Sequence, residues 1–165
     1  MNTINIIFLD FDGVITSRKS DYKLSPELLE RLRQLIESTD ARLVISSSWR
    51  GLDKESTIKQ ITDSSNPAVG NVPFPFTDRI LGVTPRCDAW MRGQEIEEWF
   101  RRHRRHLENA GIKEISYVIL DDIDDFYVQQ KEHLVKTLEV VGLQDDDIEK
   151  AKEILNKKIL INDTV

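Results

Sequence analysis

Three short apolar runs, residues 4–9, 41–45 and 115–120, each stop abruptly at polar side chains. Runs of this length with almost no polar interruption read as strands buried on both faces, the pattern of a parallel sheet covered by helices. The residues that stop them differ in kind. The first run is followed by Asp10-Phe11-Asp12-Gly13, the second by Ser46-Ser47-Ser48-Trp49-Arg50 and the third by Asp121-Asp122. Parallel strands align their C-terminal ends, which is where open α/β sheets bind ligands. Asp10, Ser46 and Asp121, far apart in sequence, are therefore expected to converge.

The segments between the runs supply the helices. Ser25-Pro26 has the form of a helix start, with Ser as cap and Pro in the first turn, and Leu28, Leu29, Leu32, Leu35 and Ile36 give that helix one apolar face. Strand, helix and strand then make a right-handed βαβ unit. A weaker helical pattern covers residues 51–63. Pro67, Gly70, Pro73 and Pro75 then keep 64–77 from holding regular structure for long. Residues 80–83 read as a short strand. A helix follows from about 94 to 109, with Ile96, Trp99, Phe100, His103 and Leu107 on one face and Gly111 ending it. Residues 133–137 read as a last strand. Residues 145–155 read as a last helix, acidic at its start and followed by Lys157 and Lys158, the polarity its dipole favours. The expected architecture is a three-layer α/β fold with a mainly parallel central sheet, one domain over residues 1–165, a loop-rich excursion at about 64–91 and minimal or no cap.

Composition narrows the classes. With 165 residues, 39% apolar and 32% charged, the chain has the makeup of a folded soluble domain. No apolar run reaches membrane-spanning length and no basic-then-apolar leader opens the chain, so a cytoplasmic protein with no membrane partner is expected. The one cysteine, Cys87, has no partner for an internal disulfide and no ligand-spaced neighbours. A net charge of −6 argues against broad nucleic-acid binding. The run Arg101-Arg102-His103-Arg104-Arg105-His106 is the strong basic feature, and it reads either as a solvated helix face or as a contact to a phosphate backbone. Neither histidine in it is assigned to catalysis, and His133 is read as structural.

The chemistry starts from Asp10 and Asp12. Two residues apart at a strand end, they project to one side while Phe11 projects to the other, and Gly13 lets the chain turn away. Adjacent carboxylates repel and are hard to keep ionised without a cation. With Asp121 and Asp122 they make an oxygen-rich set suited to Mg2+. Asp124 and Asp125 read as solvated acids or a helix cap.

In this order the motifs resemble the haloacid dehalogenase superfamily of aspartate-nucleophile phosphatases. Asp10-Phe11-Asp12-Gly13 matches its first motif, Leu43-Val44-Ile45-Ser46 its second and Ile119-Leu120-Asp121-Asp122 its fourth. The third motif, a Lys or Arg ahead of a helix, is matched by Arg92, with Arg79 and Arg86 as alternatives. Two positions depart from the commonest pattern: Val14 stands where Thr is frequent, and the third motif carries Arg instead of Lys. The runs around Ser47, Arg92 and Asp121 are similar to the group found in multidomain bacterial RNA-repair proteins.

The resemblance implies a mechanism. Asp10 would be the nucleophile and Asp12 the general acid and base. Mg2+ would be held by Asp10, the Asp12 backbone carbonyl and Asp121, with Asp122 as a further metal-site residue. Ser46 and Arg92 would hold the phosphoryl oxygens. Ser47 and Arg50 are candidates for substrate phosphate, pairing with a surface acid being the alternative for Arg50. The expected activity is that of a magnesium-dependent phosphomonoester hydrolase acting on a nucleotide or nucleic-acid end. The alternatives are a small phosphometabolite phosphatase, its site closed by the 64–91 excursion or an oligomeric partner, and a non-catalytic module that binds phosphate or RNA ends.

Overall fold

The computed structural model describes residues 2–164. The chain runs β1 (Thr3–Leu9), α1 (Pro26–Thr39), β2 (Arg42–Ile45), α2 (Lys54–Thr62), β3 (Ile80–Val83), α3 (Arg92–Asn109), β4 (Glu114–Asp121), β5 (Leu134–Lys136), α4 (Asp145–Leu155) and β6 (Ile159–Leu160). The strands form one sheet in the order β3-β2-β1-β4-β5, with every neighbouring pair on that path parallel. β6 adds an antiparallel pair to the start of β4, at Glu114 and Ile115. The sequence gives no warning of β6, because two residues carry no periodicity.

Alternation along β1 explains the layers. Ile7 and Leu9 face one way, into a core completed by Leu28, Leu32 and Leu35 of α1, Ile61 of α2, and Ile148, Ala151 and Leu155 of α4. Ile6 and Phe8 face the other way, against Ile96, Trp99 and Phe100 of α3. Phe8 sits edge-on to Trp99, Phe100 and Tyr117, at centroid distances of 5.5, 5.3 and 5.8 Å. Each such side chain contributes roughly 1.5–3 kcal/mol by burial alone. The three expected layers are present.

The caps follow the sequence closely. Ser25 accepts from the Leu28 N–H at the start of α1, with Pro26 in the first turn. Asp53 and Ser56 form a reciprocal capping box on α2. The segment 63–76 has no helix or strand, yet it is not loose: Val69, Phe74 and Phe76 are buried, and Phe74 stacks on Phe11 at 5.3 Å. It lies over the core beside the first acidic turn.

Candidate active site

Register decides which residues meet. Leu9 pairs with Ile45 on β2 and with Leu120 on β4, so the next residues, Asp10, Ser46 and Asp121, stand abreast at the strand ends. The ladder continues into the turn, with Asp10 N–H donating to Leu120 O at 3.0 Å and Ser46 N–H to Leu9 O at 2.9 Å. Asp10, Ser46 and Asp121 are all buried, at 6%, 1% and 1% exposure. One carboxylate oxygen from each of Asp10, Asp121 and Asp122 lies within 4.8 Å of the other two.

Gly13 makes that approach possible. Its φ of +79° is a left-handed conformation that glycine adopts freely. A Cβ there would stand 2.4 Å from Asp122 Oδ2 and 2.5 Å from Asp122 Cγ. Any side chain at position 13 would therefore push Asp122 out of the cluster. The turn is pinned from β5's far end, where the buried Thr137 hydroxyl donates to Gly13 O at 2.6 Å.

The cluster is electrostatically incomplete. Burial pushes the Asp10 carboxyl up to about 6, against the charge of Arg92 and the Phe11 N–H, which stabilise its anion. Asp121 is pushed up to about 8, first by burial and then by Asp10's charge. Asp122 is raised too, mainly by burial. Asp121 Oδ1 accepts the Ile123 N–H at 3.0 Å, but among the described residues its buried Oδ2 has no hydrogen-bond partner, nor has the buried Ser46 Oγ. Three hard oxygen ligands with an unsatisfied carboxylate oxygen among them fit a divalent cation of the Mg2+ kind.

Asp12 is held differently. Its Oδ1 accepts from the Thr16 hydroxyl at 3.0 Å and its Oδ2 from the Trp49 indole N–H at 3.0 Å. Its side chain is thus tethered outside the three-carboxylate group. Trp49 reads from sequence as packing. It does pack on Phe11, at 5.1 Å, but its N–H also orients an acid.

The three candidate cations separate cleanly. Arg79 sits before β3, at the opposite end of the sheet, and bonds Asp40 Oδ1 at 2.6 Å. Arg86 donates to Arg50 O at 3.0 Å. Arg92 is the one whose charge acts on Asp10 and Asp121. It opens α3, which is seated by the segment after β4: Asp125 Oδ2 accepts the Arg92 N–H at 3.1 Å, and Asp125 O accepts the Gly93 N–H at 2.9 Å. Gly93 is again obligatory, since a Cβ would meet Gln130 Oε1 at 2.5 Å and the Tyr127 nitrogen at 3.0 Å. Asp125 is therefore a helix cap, and Asp124 pairs with Lys131 at 3.3 Å.

Arg50 departs from the sequence expectation. Its guanidinium is buried and fully engaged: Nη2 pairs with Glu95 at 2.8 Å, Nε donates to Thr84 O at 2.8 Å and Nη1 to Ser47 O at 2.7 Å. Neither an open phosphate ligand nor a partner of a surface acid, it is a clamp joining the ends of β2 and β3 to α3. Its partner Glu95, also buried, lies 3.6 Å from Arg92 as well. Spacing alone makes Glu95 look like an ordinary surface i,i+3 companion of Arg92, so the sequence does not single it out. Ser47 is fully buried, and its hydroxyl helps stabilise the Asp10 anion while accepting the backbone N–H of Trp49 at 3.2 Å.

The basic run lies elsewhere. Arg101 and Arg102 both pair with Glu98. At 1.5 Å per residue they are roughly 14–15 Å along α3 from Arg92, toward the far end of the sheet. His103 stacks on Trp99 at 4.5 Å, and His133 on Tyr117 at 3.8 Å with Nδ1 3.0 Å from Tyr117 O, both packing arrangements.

A parallel α/β sheet that gathers three carboxylates and a hydroxyl at its strand ends, with an arginine at the start of the facing helix, is an arrangement that could hold a divalent cation and a phosphoryl group. The family model of the HAD domain in Swiss Army Knife RNA repair proteins matches residues 6–148, and the chain belongs to that family. The motif resemblance is thereby borne out, and membership supports a phosphatase-type function with a divalent-metal site. Comparison with curated proteins and with solved structures gave no match. Among the described residues no helix is long and apolar enough to cross a membrane.

Proposed function

We propose that the protein is a magnesium-dependent phosphomonoester hydrolase that works through an aspartyl-phosphate on Asp10. The observation that carries this reading is the division between the two acids of the first turn. Asp10 belongs to the buried cluster with Asp121 and Asp122, whereas Asp12 is tethered apart by Thr16 and Trp49. A nucleophile and a proton carrier need that separation.

Asp10, Asp121 and Asp122 would hold the metal, together with the Asp12 backbone carbonyl. The bound ion supplies charge neutralisation, so that an anionic carboxylate and an anionic phosphate can meet. An Asp10 oxygen attacks phosphorus as the bond to the leaving oxygen breaks, and Asp12 gives that oxygen its proton. Water then attacks the phosphorus of the aspartyl-phosphate, Asp12 takes back a proton, and free phosphate leaves Asp10 as a carboxylate again. Ser46 Oγ, buried without a partner, and Arg92 are poised to bind phosphoryl oxygens as charge shifts onto them. Ser47 supports the Asp10 carboxylate rather than reaching outward.

Family membership favours a phosphorylated nucleotide or nucleic-acid end as substrate. The test is phosphate release from an aryl phosphate and from 5′- and 3′-phosphorylated oligonucleotides, with and without Mg2+. Turnover that disappears on chelation and in Asp10→Asn is the expected result. Absence of turnover on every phosphomonoester would leave a phosphate- or RNA-end-binding module as the better reading.

A further inference from the structure

We propose that Trp90 is a stacking platform for the nucleobase next to the terminal phosphate, so that the site prefers phosphorylated single-stranded nucleic-acid ends to base-free phosphate esters. The three tryptophans of the chain are used differently. Trp99 is 1% exposed in the core, and Trp49 is half-buried with its N–H on Asp12. Trp90 is 79% exposed. It is also held in an unfavourable backbone conformation, with φ +57°, in a turn closed by its N–H on Cys87 O at 3.0 Å. A left-handed backbone is a genuine outlier for so bulky a side chain, and such strain collects at ligand clamps.

Its position supplies the ligand's chemistry. Trp90 is two residues before Arg92, a reach of at most roughly 7 Å along the chain, and the intervening Met91 is extended. A solvent-exposed indole is therefore anchored within that backbone reach of the residue whose charge acts on Asp10, a spacing of the same order as that between a base and its phosphate. Leu52, Ile123 and Val128, in the segments after β2 and β4, are also largely exposed at the strand-end side of the sheet. Stacking on an apolar rim also explains how a chain of net charge −6, with Arg101 and Arg102 already paired to Glu98, can take a nucleic-acid end. Recognition is of one phosphate and the adjacent base, without a tracked backbone, so affinity falls only shallowly with salt.

The inference deepens the phosphatase reading, but its binding arm does not depend on turnover. Calorimetry on the Asp10→Asn protein with Mg2+ measures affinity for tetranucleotides carrying a 5′- or a 3′-phosphate, for ribose 5-phosphate and for a phosphoserine peptide. Stacking contributes on the order of tenfold per base. The expected result is a preference for one of the tetranucleotides over ribose 5-phosphate that falls about tenfold when Trp90→Ala is added and returns with Trp90→Phe. In the otherwise unaltered enzyme, the ratio of kcat/KM values for the same substrates follows the same pattern. An unchanged binding ratio in the Trp90→Ala protein, no binding of either tetranucleotide, or a phosphopeptide bound as tightly as they are, would overturn the proposal. A ratio that moves as expected without turnover in the unaltered protein would keep the stacking site and remove the hydrolase.

Discussion

Two buried charge clusters sit side by side at the strand ends, and they are built on opposite principles. In one, Asp10, Asp121 and Asp122 share a space, their carboxyls raised by burial and mutual repulsion against the single opposing charge of Arg92, and among the described residues one Asp121 oxygen has no partner. In the other, Arg50 and Glu95 answer each other at 2.8 Å, backbone carbonyls take the rest of the guanidinium, and Arg92 leans on the same carboxylate. The second cluster is complete in charge as it folds, acid against base, although Glu95 Oε2 has only Arg92 at 3.6 Å and no hydrogen bond among the described residues. The first is complete only with something added. Buried charge by itself thus says little about function; what distinguishes the site is charge that the chain leaves uncompensated.

That contrast can be broken by substitution. The largest effect is on chemistry: Asp10→Asn should lower phosphatase turnover by on the order of 10^4-fold or more, measured by phosphate release. Next comes the complete cluster. Arg50→Met strands the Glu95 carboxylate in the interior and should cost about 3–5 kcal/mol of stability, read from denaturant unfolding. If Arg50→Met unfolds no more easily than the parent chain, the clamp is not structural. In the incomplete cluster the sign reverses. Asp121→Asn removes a carboxylate whose ionisation folding disfavours, so the metal-free protein at pH 8 should gain about 1–3 kcal/mol while its response to Mg2+ is lost. The smallest effect concerns Asp12. Trp49→Phe keeps the ring against Phe11 but removes the N–H on Asp12 Oδ2, and should lower kcat by about tenfold and shift the pH–rate profile, with KM little changed.

The same contrast governs what can be read before folding. Residues 4–9, 41–45 and 115–120 are legible because strands buried on both faces must be apolar throughout. Once they are parallel, Asp10, Ser46 and Asp121 follow from register. The cap at Ser25 and the helix at Asp145–Leu155 are legible because local hydrogen bonding and dipole chemistry leave marks on neighbouring residues. Glu95 and Arg50 are not, since a charged residue on a helix and one in a loop look solvated until tertiary packing buries them together. The Trp49 N–H on Asp12 and the Thr137 hydroxyl on Gly13 are hidden for the same reason: each joins residues far apart in the chain. Gly13 is visible as a turn residue, and Gly93 only as the neighbour of Arg92 ahead of a helix. That each makes room for an oppositely placed side chain, Asp122 and Gln130, is seen only in three dimensions.

The pH dependence of stability tests the central claim, that the carboxylate cluster folds incomplete and a divalent cation completes it. Asp10 at about 6 and Asp121 at about 8 are both above their unfolded value of 3.8, so between pH 4 and 8 the folded chain binds more protons than the unfolded one. The stability these groups contribute is full below about pH 4 and is lost as pH rises through 6 and 8. The direct measurement is the difference in Tm with and without Mg2+ at pH 5 and pH 8, on the parent chain and on Asp121→Asn. The account predicts a rise of several degrees at pH 8, a much smaller one at pH 5 and none in the variant. An Mg2+ response equal at both pH values, or preserved in Asp121→Asn, would contradict it.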